Sequence, residues 1–185
     1  NMGLQLKEDQ YIAKDAFKAG LKKGYEGKDT ITREKMMQIQ NDFFYTKLPK
    51  KNRQQSEAYL LDIQKNNKNV QKTESGILYD IIEPGGEKPT NDNDEVKVVY
   101  EGKLRTGKIF DSSKERGYTA QFFLNQVIPG WKEGMKLVGK GGKIMLWIPS
   151  DLAYGEMGRQ PSIGPNEALE FEVTLVDVTP APAAE

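Results

Sequence analysis

Proline and glycine are distributed unevenly along this chain of 185 residues, and their distribution constrains the fold more than any other feature. Residues 1–70 contain one proline, Pro49, and four glycines, whereas residues 71–185 contain eight prolines and fourteen glycines. Both residue types interrupt helices and mark turns. The sequence therefore predicts a helical domain over residues 1–70, followed by a domain of strands and turns over residues 71–178.

Three apolar stripes at helical spacing lie in the first domain. A helix capped by Asp9 is predicted to run to about Glu26, and a second helix is predicted to begin after Thr32. Pro49 lacks a backbone donor, so it should kink or interrupt that second helix. The stripes consist of Ile12, Ala16 and Ala19; Met36, Ile39 and Phe43; and Tyr59, Leu60 and Ile63.

These short stripes cannot enclose a good core by themselves, because small domains bury too little surface. Two interpretations remain open for the helical domain. It is either an appendage of the second domain or an arm for oligomerisation. Residues 65–76, with the sequence KNNKNVQKTESG, are predicted to form the linker.

The chain contains neither histidine nor cysteine. This excludes disulfides and a Ser-His-Asp hydrolase, and it removes the usual general base near neutral pH. The formal net charge is zero, so no overall field attracts nucleic acid. Catalysis is therefore expected to need neither a proton relay nor a covalent intermediate, and no metal or cofactor is expected.

Alternating apolar and polar residues predict strands in the second domain. One polar face per strand is typical of an antiparallel sheet that is exposed to water on one side. A short helix after Pro129 is predicted to cover the other side, since Trp131, Met135 and Val138 lie at positions i, i+4 and i+7. The predicted strands are residues 95–104, 108–113, 142–149 and 169–178.

Residues 134–141, GMKLVGKG, nearly match the phosphate-binding loop pattern. Gly141 stands where that pattern requires serine or threonine, and the segment leads into a strand rather than a helix. The segment is therefore interpreted as a helix end followed by a tight turn.

Two polar residues stand out as functional candidates. Asp111 follows Phe110 at the end of an apolar strand, and Arg116 lies five residues further on. An acid held by an arginine in a partly apolar setting is a candidate functional group. Tyr154 lies in the long loop of residues 151–171, where one hydroxyl could be presented at the edge of a pocket. Residue types alone fit either an ordinary core or a concave apolar site.

The order and spacing of five segments resemble the FKBP-type peptidyl-prolyl isomerases over about residues 75–178. The segments are VVYEGKL, KIFDSS, FFLNQVIPGWKEGM, GGKIMLWIPSDLAYG and IGPNEALEFEVTLVDV. Residues 1–70 resemble the helical region of the Mip/FkpA branch. The resemblance implies an α+β fold, in which a twisted antiparallel half-barrel sheet wraps on a short helix and an all-α N-terminal domain precedes it. Residues 179–185 are predicted to be a disordered tail.

The resemblance also implies the site. The amide of Ile128 and the hydroxyl of Tyr154 would bind substrate carbonyls, and Asp111 would lie near the carbonyl carbon as it loses conjugation. Trp131 would form the floor of the pocket. Arg116 would join the tyrosine and the aspartate in a hydrogen-bond network. The other implied substrate-binding residues are Tyr100, Phe110, Val127, Ile163 and Phe171.

Two residues depart from the family pattern. Ala120 stands where many members have a pocket phenylalanine, and Ser162 stands where some have isoleucine. At about 25 cal/mol per Å², the loss of one aromatic wall weakens binding by about 1–2 kcal/mol. Substrate preference and the binding of macrolides such as rapamycin therefore stay open.

The expected function is to accelerate rotation about X–Pro bonds in proline-containing unfolded or nascent polypeptides. Rotation has a barrier of about 18–20 kcal/mol, and an apolar pocket would favour the less polar twisted transition state. The alternative is a dimeric holding chaperone whose pocket docks proline with little catalysis.

The Mip/FkpA resemblance further implies a homodimer formed through the N-terminal helices. It also implies a location in the bacterial cell envelope, either periplasmic or outer-membrane associated, with the cytoplasm as the other option. The chain opens Asn1-Met2, which leads us to expect a processed or trimmed start.

Overall fold

The computed structural model describes residue 22 and residues 32–182, and the chain divides into two compact units at Phe43/Phe44. Each unit is described by itself below. The helix predicted between Asp9 and Glu26 lies outside the described residues apart from Lys22, which is helical. Within the described residues, no helix combines the length and apolar character needed to cross a membrane.

The described part of the first unit is helix α1, Arg33–Asp42. Thr32 caps it as predicted, because its side chain accepts a hydrogen bond from the backbone N–H of Lys35 at 3.2 Å. All residues of α1 are exposed.

A π-helical turn, Phe43–Lys47, separates α1 from helix α2, Leu48–Asn66. Pro49 lies in the first turn of α2, directly after this π-helical turn, and it has no backbone N–H for an intrahelical hydrogen bond. The predicted interruption of the helix near Pro49 is therefore confirmed.

The second unit is built on an antiparallel sheet of seven strands. The strand order is β1-β2-β6-β7-β3-β4, and β5 also pairs with β3. The short helix α3 lies between β5 and β6 in the chain. The bounds are β1 Gln71–Lys72, β2 Leu78–Glu83, β3 Glu95–Leu104, β4 Ile109–Ser112, β5 Ala120–Phe123, α3 Pro129–Met135, β6 Lys143–Ile148 and β7 Leu169–Thr179.

Two glycines let α3 approach the sheet closely. A Cβ atom on Gly130 would overlap the side chain of Ile148, and one on Gly134 would overlap that of Leu146. Trp131 stands between these glycines and is 4% exposed. The predicted half-barrel wrapped on a short helix is confirmed.

The predicted inner faces of the long strands are also confirmed. Val96, Val98 and Tyr100 of β3 are buried at alternate positions. The core cluster is completed mainly by Met135, Val138, Ile144, Leu146, Ile148, Leu169, Phe171, Val173 and Leu175.

The sequence predicted that the outer face of the sheet is exposed to water, but part of this face is buried. Trp147 alternates with the inward-facing Leu146 and Ile148, yet it is 5% exposed. Its indole Nε1 donates to Oε2 of Glu170 at 3.0 Å, and the hydroxyl of Tyr59 on α2 donates to the same oxygen at 2.6 Å. Helix α2 therefore covers the outer face here, and the expectation of a fully exposed face is wrong at this point.

The last strand continues through Thr179. Beyond it, the backbone N–H of Ala181 donates to Oδ1 of Asp94 at 2.8 Å. The predicted tail of residues 179–185 thus begins with residues that pair with the domain, and residues 183–185 lie outside the described part.

Candidate active site

An aromatic cluster is centred on Trp131 of α3. The centroid of its ring lies 5.2 Å from that of Tyr100, 5.6 Å from that of Phe122 and 5.5 Å from that of Phe171. All three contacts are close to edge-to-face, the arrangement that aromatic quadrupoles favour. Phe110 extends the cluster, with its ring centroid 5.6 Å from that of Phe171.

Gly102 of β3 makes room for part of this cluster. A Cβ atom at this position would lie 2.8 Å from Cζ of Phe110 and 2.8 Å from Cε1 of Phe171. Real Cβ contacts are not this short, so the two rings lie directly over the bare backbone of Gly102.

A cavity of about 330 Å³ opens beside the cluster. Its volume falls at the lower end of the range found for small-ligand sites. Its walls combine aromatic, aliphatic and polar side chains, which are Phe110, Asp111, Arg159, Gln160, Ser162 and Ile163.

Asp111 is held by two donors. The hydroxyl of Tyr100 donates to its Oδ2 at 2.6 Å, and Nη2 of Arg116 donates to its Oδ1 at 2.8 Å. Nη2 of Arg116 also donates to the hydroxyl oxygen of Tyr118 at 2.8 Å. Burial, followed by the hydrogen bond to Asp111, raises the pKa of Tyr100, so this phenol keeps its proton and stays a donor.

Tyr154 lies in the turn that follows a short 3₁₀ segment, Ser150–Leu152. Gly155 allows this turn, because its φ is +58° and its N–H donates to the carbonyl of Ser150 at 2.8 Å. Nη1 of Arg159 donates to the hydroxyl oxygen of Tyr154 at 3.3 Å, and its guanidinium lies 5.7 Å from the ring centroid. Since arginine only donates, the hydroxyl hydrogen of Tyr154 can be given to another acceptor.

Ile128 directly precedes the first residue of α3. Its carbonyl accepts from the N–H of Trp131 at 3.0 Å and from that of Lys132 at 3.1 Å. Ile128 is the N-cap residue of α3, so its backbone N–H takes no part in the hydrogen bonds within the helix. Val127 and Ile128 are both partly buried against the core cluster.

The structure brings the residues implied by the sequence into one region, though not into one cavity wall. Phe110, Asp111 and Ile163 line the cavity, whereas Tyr100, Trp131 and Phe171 form the aromatic cluster next to it. Val127 and Ile128 pack on the core at the start of α3.

Phe122 begins the segment FFLNQVIPGWKEGM, which carries part of the resemblance, and it contacts both Tyr100 and Trp131. Two further residues make contacts in this region that the sequence did not assign to the site. Tyr118 and Arg159 were marked by no motif, because their partners lie across turns whose geometry the sequence does not specify.

The two residues that depart from the family pattern, Ala120 and Ser162, lie in different parts of the structure. Ala120 is 5% exposed in β5 and pairs with Val98 of β3. Ser162 lines the cavity and is exposed. Ser162 therefore adds a polar side chain to the cavity wall, whereas Ala120 is part of the packed core.

Comparisons with known proteins agree on one class. Residues 86–176 match the family described as FKBP-type peptidyl-prolyl cis-trans isomerase, and residues 1–81 match the domain amino-terminal to FKBP-type peptidyl-prolyl isomerase. The chain is 40% identical over 172 residues to a probable FKBP-type peptidyl-prolyl cis-trans isomerase of Haemophilus influenzae, covering 87% of this chain and 71% of that protein.

Two other relatives extend the match. The peptidyl-prolyl cis-trans isomerase Mip of Coxiella burnetii is 39% identical over 184 residues, covering 93% of this chain and 79% of Mip. The crystal structure of FkpA from Escherichia coli superposes with a TM-score of 0.72 at 36% identity, covering 98% of this chain and 91% of FkpA.

The half-barrel and its aromatic site thus define a peptidyl-prolyl isomerase. The chain belongs to the FKBP-type peptidyl-prolyl cis-trans isomerase family. It is an enzyme that acts on proline-containing polypeptides. The alternative of a proline-docking module with little catalysis is not favoured.

Proposed function

We propose that the cavity beside Phe110 and Asp111 is where this isomerase twists the X–Pro bond. The observation that carries the proposal is the position of a doubly held carboxylate, Asp111, in a cavity wall backed by the rings of Phe110, Phe171 and Trp131. A planar imide is more polar than its twisted transition state, so an apolar site that excludes water favours the twisted form. This requires no base or nucleophile.

In this proposal each polar group has a defined task. The hydroxyl of Tyr154 and the N–H of Ile128 bind substrate carbonyls on either side of the rotating bond. Asp111 faces the imide carbon as conjugation is lost, and Tyr100 and Arg116 keep its carboxylate in place. The ring of the substrate proline lies against the aromatic cluster, over Trp131. Val127, Ile163 and Phe171 supply the remaining apolar surface.

Asp111→Ala and Tyr154→Phe test the assignment. We expect each to lower kcat/KM for a Leu-Pro peptide, measured by exchange NMR, by about 10-fold or more, since one lost hydrogen bond to a charged or reacting group is worth about 1.5 kcal/mol. Tyr79→Phe is the matched control, because the hydroxyl of Tyr79 bonds Gln71 on the remote β1–β2 pair. If both site variants keep the wild-type kcat/KM, the assignment is wrong.

We also propose that rapamycin-type macrolides compete for this cavity, with an affinity reduced by Ser162. Support comes from the place of Ser162 in the cavity wall. Calorimetric titration of rapamycin into the wild type and into Ser162→Ile is the test. Tighter binding by Ser162→Ile supports the proposal, whereas equal binding by the two proteins contradicts it.

We further propose that the enzyme is a homodimer formed through its N-terminal helices. Met36, Met37 and Ile39 of α1 are 47%, 56% and 50% exposed, and three such side chains on one short helix favour contact with a second copy. Sedimentation equilibrium should give the dimer mass for the wild type and a lower mass for Met37→Glu. Gln38→Glu, which adds the same charge at an exposed position on α1, should stay dimeric.

On the Mip/FkpA resemblance alone, we propose that the enzyme acts in the bacterial cell envelope. Fractionation of the source cells, followed by immunodetection beside periplasmic and cytoplasmic markers, tests this. Recovery with the cytoplasmic marker would overturn it.

A further inference from the structure

The buried face of helix α2 is polar where it meets the sheet domain. Asn52 and Ser56, one helical turn apart, are 2% and 4% exposed. Buried polar side chains are costly unless they are hydrogen-bonded. Their partners should therefore identify what this helix holds.

Three backbone partners of these two side chains lie in the segment that follows Ile163. Nδ2 of Asn52 donates to the carbonyl of Pro165 at 2.8 Å. The hydroxyl of Ser56 donates to the carbonyl of Asn166 at 2.8 Å and accepts from the N–H of Ala168 at 2.9 Å. Two side chains of α2 thus satisfy three backbone groups at the end of the loop that carries Tyr154 and Ile163.

Asn166 connects this contact to Tyr154. It is 2% exposed and has a φ of +54°, which is uncommon for a residue with a side chain. Its Nδ2 donates to the carbonyl of Pro49 at 3.1 Å, and its Oδ1 accepts from Arg53 at 3.1 Å. Its backbone N–H donates to the carbonyl of Gly155, directly after Tyr154, at 2.8 Å.

Helix α2 also holds the beginning of the loop and a neighbouring turn. The guanidinium of Arg53 donates to both carboxylate oxygens of Asp151, each at 3.3 Å. Arg105, after β3, pairs with Glu167 and donates to Oδ1 of Asn52 at 3.4 Å. The side chains of Arg105 and Glu167 are both 9% exposed, so removing either partner leaves a buried charge.

We propose that α2 is a positioning element of the active site, which holds residues 151–168 in the conformation that binds substrate through Asn52, Ser56 and Asn166. The proposal rests on the role proposed above for Tyr154. Helix α2 lies within residues 1–81, which match the domain amino-terminal to the isomerase domain. The proposal therefore gives this amino-terminal region a role in catalysis by the isomerase domain. None of the three residues touches substrate; they act through the position of Tyr154.

The test is a double-mutant cycle in the full-length chain. The first arm is Asn52→Ala/Ser56→Ala, and the second is Tyr154→Phe. We expect the α2 variant to lower kcat/KM for a Leu-Pro peptide about 5- to 20-fold, mainly through KM. The combined variant should be little worse than Tyr154→Phe alone. The α2 variant acts by displacing the hydroxyl of Tyr154, and Tyr154→Phe has already removed that hydroxyl.

Gln54→Ala/Gln64→Ala is the matched control, since both residues are exposed polar residues of α2. It should keep the wild-type kcat/KM. Asn166→Gly serves if the first variant does not fold. Glycine accepts a φ of +54° without strain, so this change removes only the bonds to Pro49 and Arg53.

Each outcome decides between the proposals. A fall in kcat/KM that is not additive with Tyr154→Phe supports positioning through Tyr154. An unchanged kcat/KM in the α2 variants, or a fall that is fully additive with Tyr154→Phe, overturns positioning while leaving the proposed site intact. If Tyr154→Phe itself is silent, the role proposed for Tyr154 fails, and the positioning proposal fails with it.

Discussion

Tyr100 links the aromatic cluster around Trp131 to the carboxylate of Asp111. Its ring centroid lies 5.2 Å from that of Trp131, and its hydroxyl donates to Oδ2 of Asp111 at 2.6 Å. Because Arg116 holds the other oxygen at 2.8 Å, the carboxylate of Asp111 is fixed from both sides. One buried tyrosine thus orients the acid relative to the aromatic surface on which we expect proline to bind.

Tyr100→Phe should lower kcat/KM about 10-fold while leaving the fold intact. The change keeps the ring contact with Trp131 and removes one hydrogen bond to a carboxylate, worth about 1.5 kcal/mol. Exchange NMR on a Leu-Pro peptide measures the rate, with Tyr79→Phe as the control. A wild-type rate in Tyr100→Phe would show that Arg116 alone positions Asp111.

The pH profile of kcat/KM should be flat between about pH 5.5 and pH 9. The chain has no histidine or cysteine, the side chains that ordinarily titrate in or near this range, and twisting of the imide transfers no proton. The peptide exchange rate at half-unit intervals is the measurement. A bell-shaped profile would indicate acid–base catalysis and contradict the mechanism.

Alkaline pH should destabilise the fold through Tyr100. Its pKa is raised above the ordinary value of 10.0, first by burial and then by the bond to Asp111. Its contribution to stability is therefore fully present below pH 10 and is lost as the pH rises from 10 through the native pKa, because only the unfolded state ionises there. Urea unfolding at pH 9 and pH 11 should show a smaller loss for Tyr100→Phe than for the wild type.

Gly102→Ala should reduce catalysis far more than a glycine substitution elsewhere in the fold. The added methyl group would lie 2.8 Å from the rings of Phe110 and Phe171, so at least one of the two rings must shift. Overpacking of this kind costs about 1–3 kcal/mol, which we expect to appear as a loss of stability and as a rise in KM. Gly86→Ala, where the nearest atom is the carbonyl oxygen of Lys140 at 3.7 Å, should behave as the wild type. Equal kcat/KM in the two variants would mean that the rings are not part of the binding surface.

Asp94→Asn should lower the free energy of unfolding by about 1–3 kcal/mol. Asp94 is 3% exposed; burial alone would raise its pKa, but the N–H groups of Ala181, Asn91 and Thr90 lower it below the ordinary value. Its contribution is therefore present above about pH 3.8 and is lost as the pH falls through the native pKa.

Urea unfolding at pH 7 and pH 3 checks the prediction for Asp94. The stability difference between the wild type and Asp94→Asn should shrink at the lower pH. Glu83→Gln is the control, because Glu83 is an exposed carboxylate at the end of β2. A constant difference at both pH values would argue against the charge of Asp94 as the cause.

Arg159→Glu should change which X–Pro peptides are preferred. The guanidinium of Arg159 is exposed at the cavity wall, beside the hydroxyl of Tyr154. At about 1 kcal/mol for each close pair of charges in water, the ratio of kcat/KM for Glu-Pro over Lys-Pro peptides should fall about 10-fold or more. The shift should weaken at 1 M salt. Lys88→Glu, an exposed charge reversal in the loop between β2 and β3, should leave the ratio unchanged.

Strands β3, β4, β6 and β7 and helix α3 were predictable because their signals are local, whereas β1, β2 and β5 were not predicted. Alternation along Val96, Val98 and Tyr100 sets the inner face of β3, and Pro129 with Trp131 marks a short helix whose apolar side is readable from its spacing. The identities of Asp111 and Tyr154 as candidates followed from residue type and from the family resemblance. The structure then brought Arg159 to Tyr154, and Tyr118 to Arg116, across turns that no pattern specified.

The attachment of α2 could not be predicted in this way. Its buried residues Asn52 and Ser56 are polar, so hydropathy at helical spacing marks Tyr59, Leu60 and Ile63 instead. Their partners Pro165 and Asn166 lie 113 and 110 residues further along the chain. The sequence by itself determined an antiparallel sheet, the short helix that covers it and the chemical types of the site, because side-chain alternation and turn residues act locally. The half-barrel was implied by the family resemblance. Only the tertiary structure decided that α2 joins the sheet domain, because a polar side chain is buried only where a distant backbone supplies its hydrogen bonds.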